Sequence, residues 1–327
     1  MFHVFLDRDC FYFSHTYDLT NPLNKLAQHG SLASKIKSCD ERFFYNYPHL
    51  TRLISGGFNE WVTPFICGLV EFKLMKVNGK SVNLGLISRR DKSRAGMRFV
   101  QRGGDMEGNV SNFAETEQIF IIHLDSSWKI FSYLQTRGSI PIPWQQTPNM
   151  KWAPKLKIES NSTKVKSCFN AHMNKIRKTY GKNTLVNLID KKGSQNLIGK
   201  VFTDLFLSEH DDGTQHYVWF DFHHECRKMQ YHNLSKLLMS ISKNMDDYSF
   251  TQMVVKKDSD ENQTIEAQSL QNGVVRTNCM DCLDRTNVAQ SVFARNVLLN
   301  QLFSVIFCIT HAYFEEPTPS KTKRESV

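Results

Sequence analysis

Val275-Arg-Thr-Asn-Cys-Met-Asp-Cys-Leu-Asp-Arg-Thr-Asn-Val288 is the stretch from which the rest of this 327-residue chain can be read. Cys279 is followed by five residues and then by Arg285 and Thr286. That spacing suits a loop curled around a tetrahedral phosphate. Cys279 would attack phosphorus as a thiolate, and Arg285 would fork onto two non-bridging oxygens. The backbone N–H groups of residues 280 to 285 would form an anion nest. Upstream, Gly273-Val-Val-Arg276 reads as a short buried strand. Downstream, Thr286 and Asn287 can cap a helix in which Val288, Val292 and Leu299 recur beside Ala289, Phe293 and Val297. Strand, loop and helix in succession bring the positive end of the helix dipole to the anion and favour the thiolate. Cys279 and Cys282 also form a Cys-x-x-Cys pair, the pattern of half a zinc site or a redox couple. Zinc needs two more ligands, and no second such pair exists. A redox couple has no use for Asp281, Asp284 and Arg285.

The loop does not stand alone. Tyr17-Asp-Leu-Thr20, Ile87-Ser-Arg-Arg90, Arg94-Ala-Gly96, Gly108-Asn-Val-Ser-Asn-Phe-Ala-Glu-Thr-Glu-Gln118, Gln135-Thr-Arg-Gly-Ser-Ile-Pro141 and Phe220-Asp-Phe-His-His-Glu-Cys226 precede it in order. Together these segments resemble the Sac (suppressor of actin) domain phosphoinositide phosphatases from about residue 5 to about residue 300. The wording is most similar to the endoplasmic reticulum and Golgi branch, which acts on phosphatidylinositol 4-phosphate. The resemblance implies an α/β fold with a β-rich N-terminal subdomain (1–140) and a layered, Cys-phosphatase-like catalytic domain (141–314, phosphate loop 279–285). A disordered tail (315–327) would follow. It also implies a cytosol-facing membrane surface of the endoplasmic reticulum or Golgi, and phosphatidylinositol monophosphates as substrate.

Composition is that of an ordinary globular chain, 40% hydrophobic and 22% charged. The eight cysteines show no disulfide framework and the start lacks a signal-peptide pattern, as expected in a reducing compartment. Formal charge is +9, concentrated in residues 151–200, where twelve Lys or Arg face only Glu159 and Asp190. A solvated surface reads this way. So does a face that settles on anionic headgroups, each basic residue contributing about 1 kcal/mol. Nucleic acid is disfavoured, because no aromatic-basic interleaving accompanies the charge.

Patterning predicts strands at the start and at Cys10–Phe13, helices near 32–36 and 42–53, and strands at 64–72 and 82–88 joined by an Asn78-Gly79 turn. Residues 89–118, rich in Arg, Asp, Glu and Gly, read as a polar loop or ion-paired hairpin, or as a loop packed between subdomains. A hairpin over 119–133 turns at Asp125. Thereafter helices (167–180, 195–207, 233–245) alternate with strands (184–189, 217–222), the pattern of a layered α/β domain. Leu302–Phe314 is too short to span a membrane and reads as the end of a core helix or a buried strand.

The expected chemistry has Cys279 as nucleophile, Arg285 on the phosphate oxygens and Thr286 donating to the thiolate. Asp281 is the expected proton donor to the leaving oxygen, with Asp284 the other candidate. Asn278, Met280, Cys282, Leu283 and Asp284 would surround the phosphate. Asp221 and His223, at the carboxyl end of a strand, would support the loop from behind. A metal held by His223 and Glu225 is conceivable, but a thiolate mechanism calls for neither metal nor cofactor. A protein phosphatase is disfavoured by the other motifs. A catalytically impaired lipid- or partner-binding module is the alternative.

Overall fold

The computed structural model describes residues 10–30, 32, 36–77, 80–96, 100–124, 127–147, 154–209, 214–257, 263–281 and 283–312. Its strands are β1 (Phe11–Phe13), β2 (Phe65–Val77), β3 (Lys80–Arg90), β4 (Ala114–Leu124), β5 (Ser127–Gly138), β6 (Trp144–Gln146), β7 (Leu156–Ile158), β8 (Lys182–Asn187), β9 (Gln215–Trp219), β10 (Thr251–Lys257), β11 (Gln263–Ser269) and β12 (Gly273–Asn278). The helices are α1 (Leu23–Gln28), α2 (Tyr47–Ser55), α3 (Ser162–Tyr180), α4 (Gly193–Glu209), α5 (Phe222–Glu225), α6 (Leu234–Tyr248) and α7 (Asp284–Ala312). Asn161 starts α3 by accepting the Lys164 N–H at 3.1 Å, the usual service of an N-cap.

Ten strands form one mixed sheet in the order β1-β2-β3-β4-β5-β12-β8-β9, with the β10–β11 hairpin attached to β5. Strands β1 to β5 pair antiparallel, whereas β12 runs parallel to both β5 and β8, and β8 parallel to β9. The fold is mixed α/β, β-rich first and alternating afterwards, as expected. β12 is buried at all its positions, as a central parallel strand must be. One core cluster joins β8 and β12 to α3, α4, α6 and α7 through Phe169, Leu185, Phe202, Ile241, Val275 and Phe293. A second, including Leu23, Ile66, Ile87, Ile119 and Met253, serves the antiparallel half.

One edge of β5 is shared by two partners. Its first half pairs with β10 and its last residues with β12. Between them the Gln271 side chain does the work of a strand. Its amide oxygen accepts the Leu134 N–H at 2.8 Å, and its amide nitrogen donates to the Leu134 carbonyl at 2.8 Å and the Gly273 carbonyl at 2.7 Å. Buried backbone polar groups are thereby satisfied where the ladder breaks.

Several expectations are corrected. Residues 42–46 are not helical. Arg42 is drawn into ion pairs with Asp40 and Glu115, Phe43 and Phe44 are buried beside it, and the helix begins only at Tyr47. Of the helix expected at 32–36, residues 33–35 fall outside the described residues, and Ile36 opens a short turn, Ile36–Ser38. The polar stretch before residue 119 is strand from Ala114, because Glu115 and Glu117 point inward to cations instead of outward to water. The hairpin β10–β11 carried too little apolar alternation to be recognised. Leu302 onward continues α7 to Ala312. Residues 1–9, 78–79, 125–126 and 315–327 fall outside the described residues. Among those that are described, no helix is long and apolar enough to cross a membrane.

The charges of residues 89–118 are not a hairpin of exposed pairs. Arg89 is wholly buried, donating to the Asn21 carbonyl at 3.0 Å and pairing with Glu117 at 2.5 Å. Glu117 also accepts from the Leu23 N–H (2.7 Å) and the Ser132 hydroxyl (2.6 Å). Asp18 folds the preceding turn, accepting from Thr20 and Asn21. The segments around Tyr17, Arg89 and Glu117 therefore meet in one polar hub that fastens the N-terminal stretch to the sheet. Replacing Arg89 with Met would leave Glu117 buried without its cation, a loss of about 3–5 kcal/mol. A clearly lowered urea midpoint with an unchanged slope is expected, and an unchanged midpoint would refute the hub.

Candidate active site

Cys279 follows β12 directly and is only 1% exposed. The strand that delivers it is fixed by side chains as well as by its ladder. Arg276, fully buried, donates to His172 Nε2 on α3 (3.0 Å), Asn278 Oδ1 (3.1 Å) and the Ser139 carbonyl after β5 (2.8 Å). Asn278 donates to Asn187 Oδ1 at 2.7 Å, and its carbonyl accepts the Leu188 N–H at 2.9 Å. The other ring nitrogen of His172 meets the Gly108 carbonyl at 2.8 Å. Gly108 has φ +80°, and a Cβ there would sit 2.5 Å from the Ala171 carbonyl carbon, so the turn approaches α3 this closely only as glycine.

The loop itself is held by Arg102, a residue not singled out from the sequence. Arg102 donates to the Met280 carbonyl at 2.6 Å and to Asp281 through a short charged contact, while Gln146 accepts from its Nε at 3.2 Å. Met280 is buried, and Leu283 is 49% exposed at the mouth. Cys282 lies outside the described residues. Helix α7 begins at Asp284 rather than after Thr286, so Thr286 and Asn287 occupy its first turn. The Thr286 hydroxyl donates to the Leu283 carbonyl at 2.8 Å, not to sulfur as expected. Of the helix positions read from sequence, Ala289, Phe293 and Val297 are buried, whereas Leu299 is 47% exposed.

Arg285 leaves the loop on its other side. It donates to the Leu188 carbonyl and Gln195 Oε1, both at 3.2 Å, and lies 3.5 Å from Asp190. Asp190 is also 2.8 Å from His223 Nδ1. Asp221 caps α5 through the His224 N–H (3.1 Å) and accepts the Lys191 N–H (2.9 Å). The structure thus brings Asp221 and His223 to Arg285, through residues 190–191, rather than to Cys279. Among the described residues no group of three or more His, Cys, Asp or Glu side chains is placed to hold a metal ion. On the opposite side, a groove of about 770 Å³ runs from Asp281 and Leu283 between α7 and the face of β2–β5.

Comparison with known proteins agrees with this architecture. The SacI homology domain model matches residues 1–227. The chain belongs to the SacI homology domain family. A Saccharomyces cerevisiae protein named phosphatidylinositol-3-phosphatase SAC1 is 40% identical over 336 residues, covering all of this chain and 52% of that protein. Phosphatidylinositol-3-phosphatase SAC1-B of Danio rerio is 37% identical over 307 residues, 92% of this chain and 50% of its own length. Phosphatidylinositide phosphatase SAC2, also from Danio rerio, is 33% identical over 331 residues, 92% of this chain and 28% of that protein. The chain spans about half the length of the SAC1 relatives it matches. The SacI match extends from the N-terminal strands through the Phe220–Cys226 segment.

Burial, reinforced by the neighbouring Arg276 charge, pushes the His172 imidazole well below its usual value of 6.5. The unfolded chain therefore takes up a proton below about pH 6.5 that the folded chain refuses, and stability present above that pH is lost as pH falls. Urea midpoints of the wild type are expected to drop more steeply from pH 7 to pH 5 than those of His172→Gln. Equal slopes would show that His172 is not held neutral.

Proposed function

We propose that this chain is a phosphoinositide phosphatase that removes phosphate from phosphatidylinositol monophosphates, chiefly phosphatidylinositol 4-phosphate, through a phosphocysteine intermediate. The observation that carries the reading is Cys279 at the end of a fully buried parallel strand, followed by a short loop and the first turn of α7. Cys279 attacks in line, so the S–P bond forms as the bond from phosphorus to the inositol oxygen breaks. The leaving oxygen takes a proton from Asp281, which Arg102 holds at the loop. Water then attacks the phosphocysteine, gives its proton back to Asp281, and releases phosphate and the thiolate. Developing charge is met by the loop N–H groups and the α7 N-terminus, and by Arg285 once its side chain turns from Leu188 and Asp190 to the phosphate. Met280, Leu283 and Asp284 shape the pocket, with Asn278 holding the strand that leads into it and Thr286 in the helix turn beneath it. The acidic pair Asp281 and Asp284 ranks monophosphorylated headgroups above polyphosphorylated ones.

Membrane contact follows from the same reading. The basic residues of 151–200 do not form one face. Lys191 and Lys192 follow the carboxyl end of β8, beside the loop, whereas Lys178 and Lys182 lie at its amino end. The loop-side lysines are the ones that would meet a cytosol-facing bilayer of the endoplasmic reticulum or Golgi. A second reading, a lipid-binding module without turnover, draws on one observation, the commitment of Arg285 to Leu188, Gln195 and Asp190.

Phosphate release from vesicles carrying each phosphatidylinositol phosphate, the 3- and 4-phosphates included, separates these readings. Wild type is expected to release phosphate chiefly from the 4-phosphate, and Cys279→Ser to release none while still binding. Vesicle binding without release by wild type would leave only the module. Arg102→Met is expected to lower kcat about tenfold, near 1.4 kcal/mol, with little change in KM. An unaltered kcat in a folded variant would remove Arg102 as a positioning residue.

A further inference from the structure

The groove between α7 and the sheet is not used by the phosphoryl-transfer chemistry, yet it begins at the loop. Its volume, about 770 Å³, lies within the usual range for small-molecule sites. Its charge is one-sided. Arg90, Arg137 and Arg295 line it against a single carboxylate, Asp281, which already accepts from Arg102. Arg90 is steadied by neutral acceptors, the Gly96 carbonyl at 2.8 Å and the Asn112 amide, and Arg137 donates to the Asn287 amide. Arg295 is exposed and has no hydrogen-bond or ion-pair partner among the described residues.

The helix forming one wall is pinned by amides. Gln118 donates to the Ala294 carbonyl, Gln135 to the Gln290 carbonyl, and Gln290 back to the Thr136 carbonyl, all at 3.1–3.2 Å. The wall is therefore rigid where Arg295 leaves it. Arg295 lies two turns beyond Asn287, about 12 Å along the axis, and helical side chains lean toward the N-terminus. Its Cα–Cβ bond is thus tilted toward the loop end of the groove that it lines. Farther out the lining turns apolar, with Leu69 (36% exposed), Leu86 (37%) and Leu298. A simple anion or a free inositol phosphate has no use for those leucines. A phospholipid has use for both parts.

We propose that this groove binds the phosphodiester and glycerol backbone of a phosphatidylinositol lipid, the diester among Arg90, Arg137 and Arg295 and the first acyl carbons on Leu69, Leu86 and Leu298. The inference rests on the phosphoinositide reading above and adds a second recognition point to it: the loop takes the monoester, the groove the diester.

The probe is dibutanoyl phosphatidylinositol, soluble and without a monoester phosphate, so its binding does not depend on turnover. Titrated calorimetrically, wild type is expected to bind it, and Arg295→Gln to weaken binding about tenfold, the loss of one charged hydrogen-bonding contact. Lys200→Gln, which removes an exposed charge from α4, should bind as wild type does. Glycerophosphoinositol, lacking the acyl chains, should bind more weakly than the probe. The inference is overturned if Arg295→Gln, with an unchanged circular dichroism melt, binds the probe as wild type does. It is equally overturned if inorganic phosphate displaces the probe at equal concentration, which would mark a simple anion site. Arg295-dependent binding without phosphate release from vesicles would sink the phosphatase reading alone. Release with Arg295-independent binding would sink this inference alone.

Discussion

The Arg276 guanidinium is the constraint on which the site depends. A cation with no solvent exposure is tolerable only when its donors are met. Here they are met by three elements far apart in sequence: α3 through His172, the residue after β5 through Ser139, and its own strand through Asn278. Moving any of these would strand a buried charge, so the three hold one another in place. Cys279 comes three residues later and inherits that rigidity. A neutral His172 is part of the same arrangement, since burial and the adjacent Arg276 charge both disfavour a second cation there.

Much of this was legible in the sequence, and what was missed shares a cause. The strand, loop and helix around Cys279 announced themselves because a buried strand needs a continuous apolar run and the loop needs particular residues. Ala289, Phe293 and Val297 were readable as a helix face for the same reason. The errors lie where polar residues turn inward. Glu115, Glu117 and Arg89 carry the composition of a surface loop but sit in strands facing one another, and periodicity cannot tell an inward carboxylate from a solvated one. Arg102 and Asp190 were passed over because their importance comes from contacts 90 or more residues away. A charged residue set among glycines, as Arg102 is by Gly103 and Gly104, is the available hint. The β10–β11 hairpin, polar on one face and short, gave no such signal.

The loop has two sides with different characters. Toward α5 it faces a compact polar set, Asp190, Gln195, Asp221 and His223, which holds Arg285. Toward α7 it opens into a wider, arginine-lined groove. Arg102 stands between the sheet and the loop and fixes Asp281 at the groove entrance. On the proposed function, changes on the Arg285 side alter how phosphate is held, and changes on the groove side what is attached to it. These are separable properties because different elements carry them.

The order of the strands has a consequence for how the chain is made. β12 lies in the middle of the sheet, between β5 and β8, yet it is the last strand among the described residues. A ribosome that has released the chain up to residue 270 has produced both flanks of a sheet without the strand that joins them. The antiparallel half closes through neighbouring hairpins, a low-contact-order task, whereas β8 and β9 have no long-lived partner on their inner side until residues 273–278 arrive. During that interval an open, hydrophobic strand edge faces water. The final register then depends on Gln271, which couples β5 to the strand about to dock. Seating β12 is thus at once the closure of the sheet and the placement of the Cys279 loop, so a chain stalled short of it has neither.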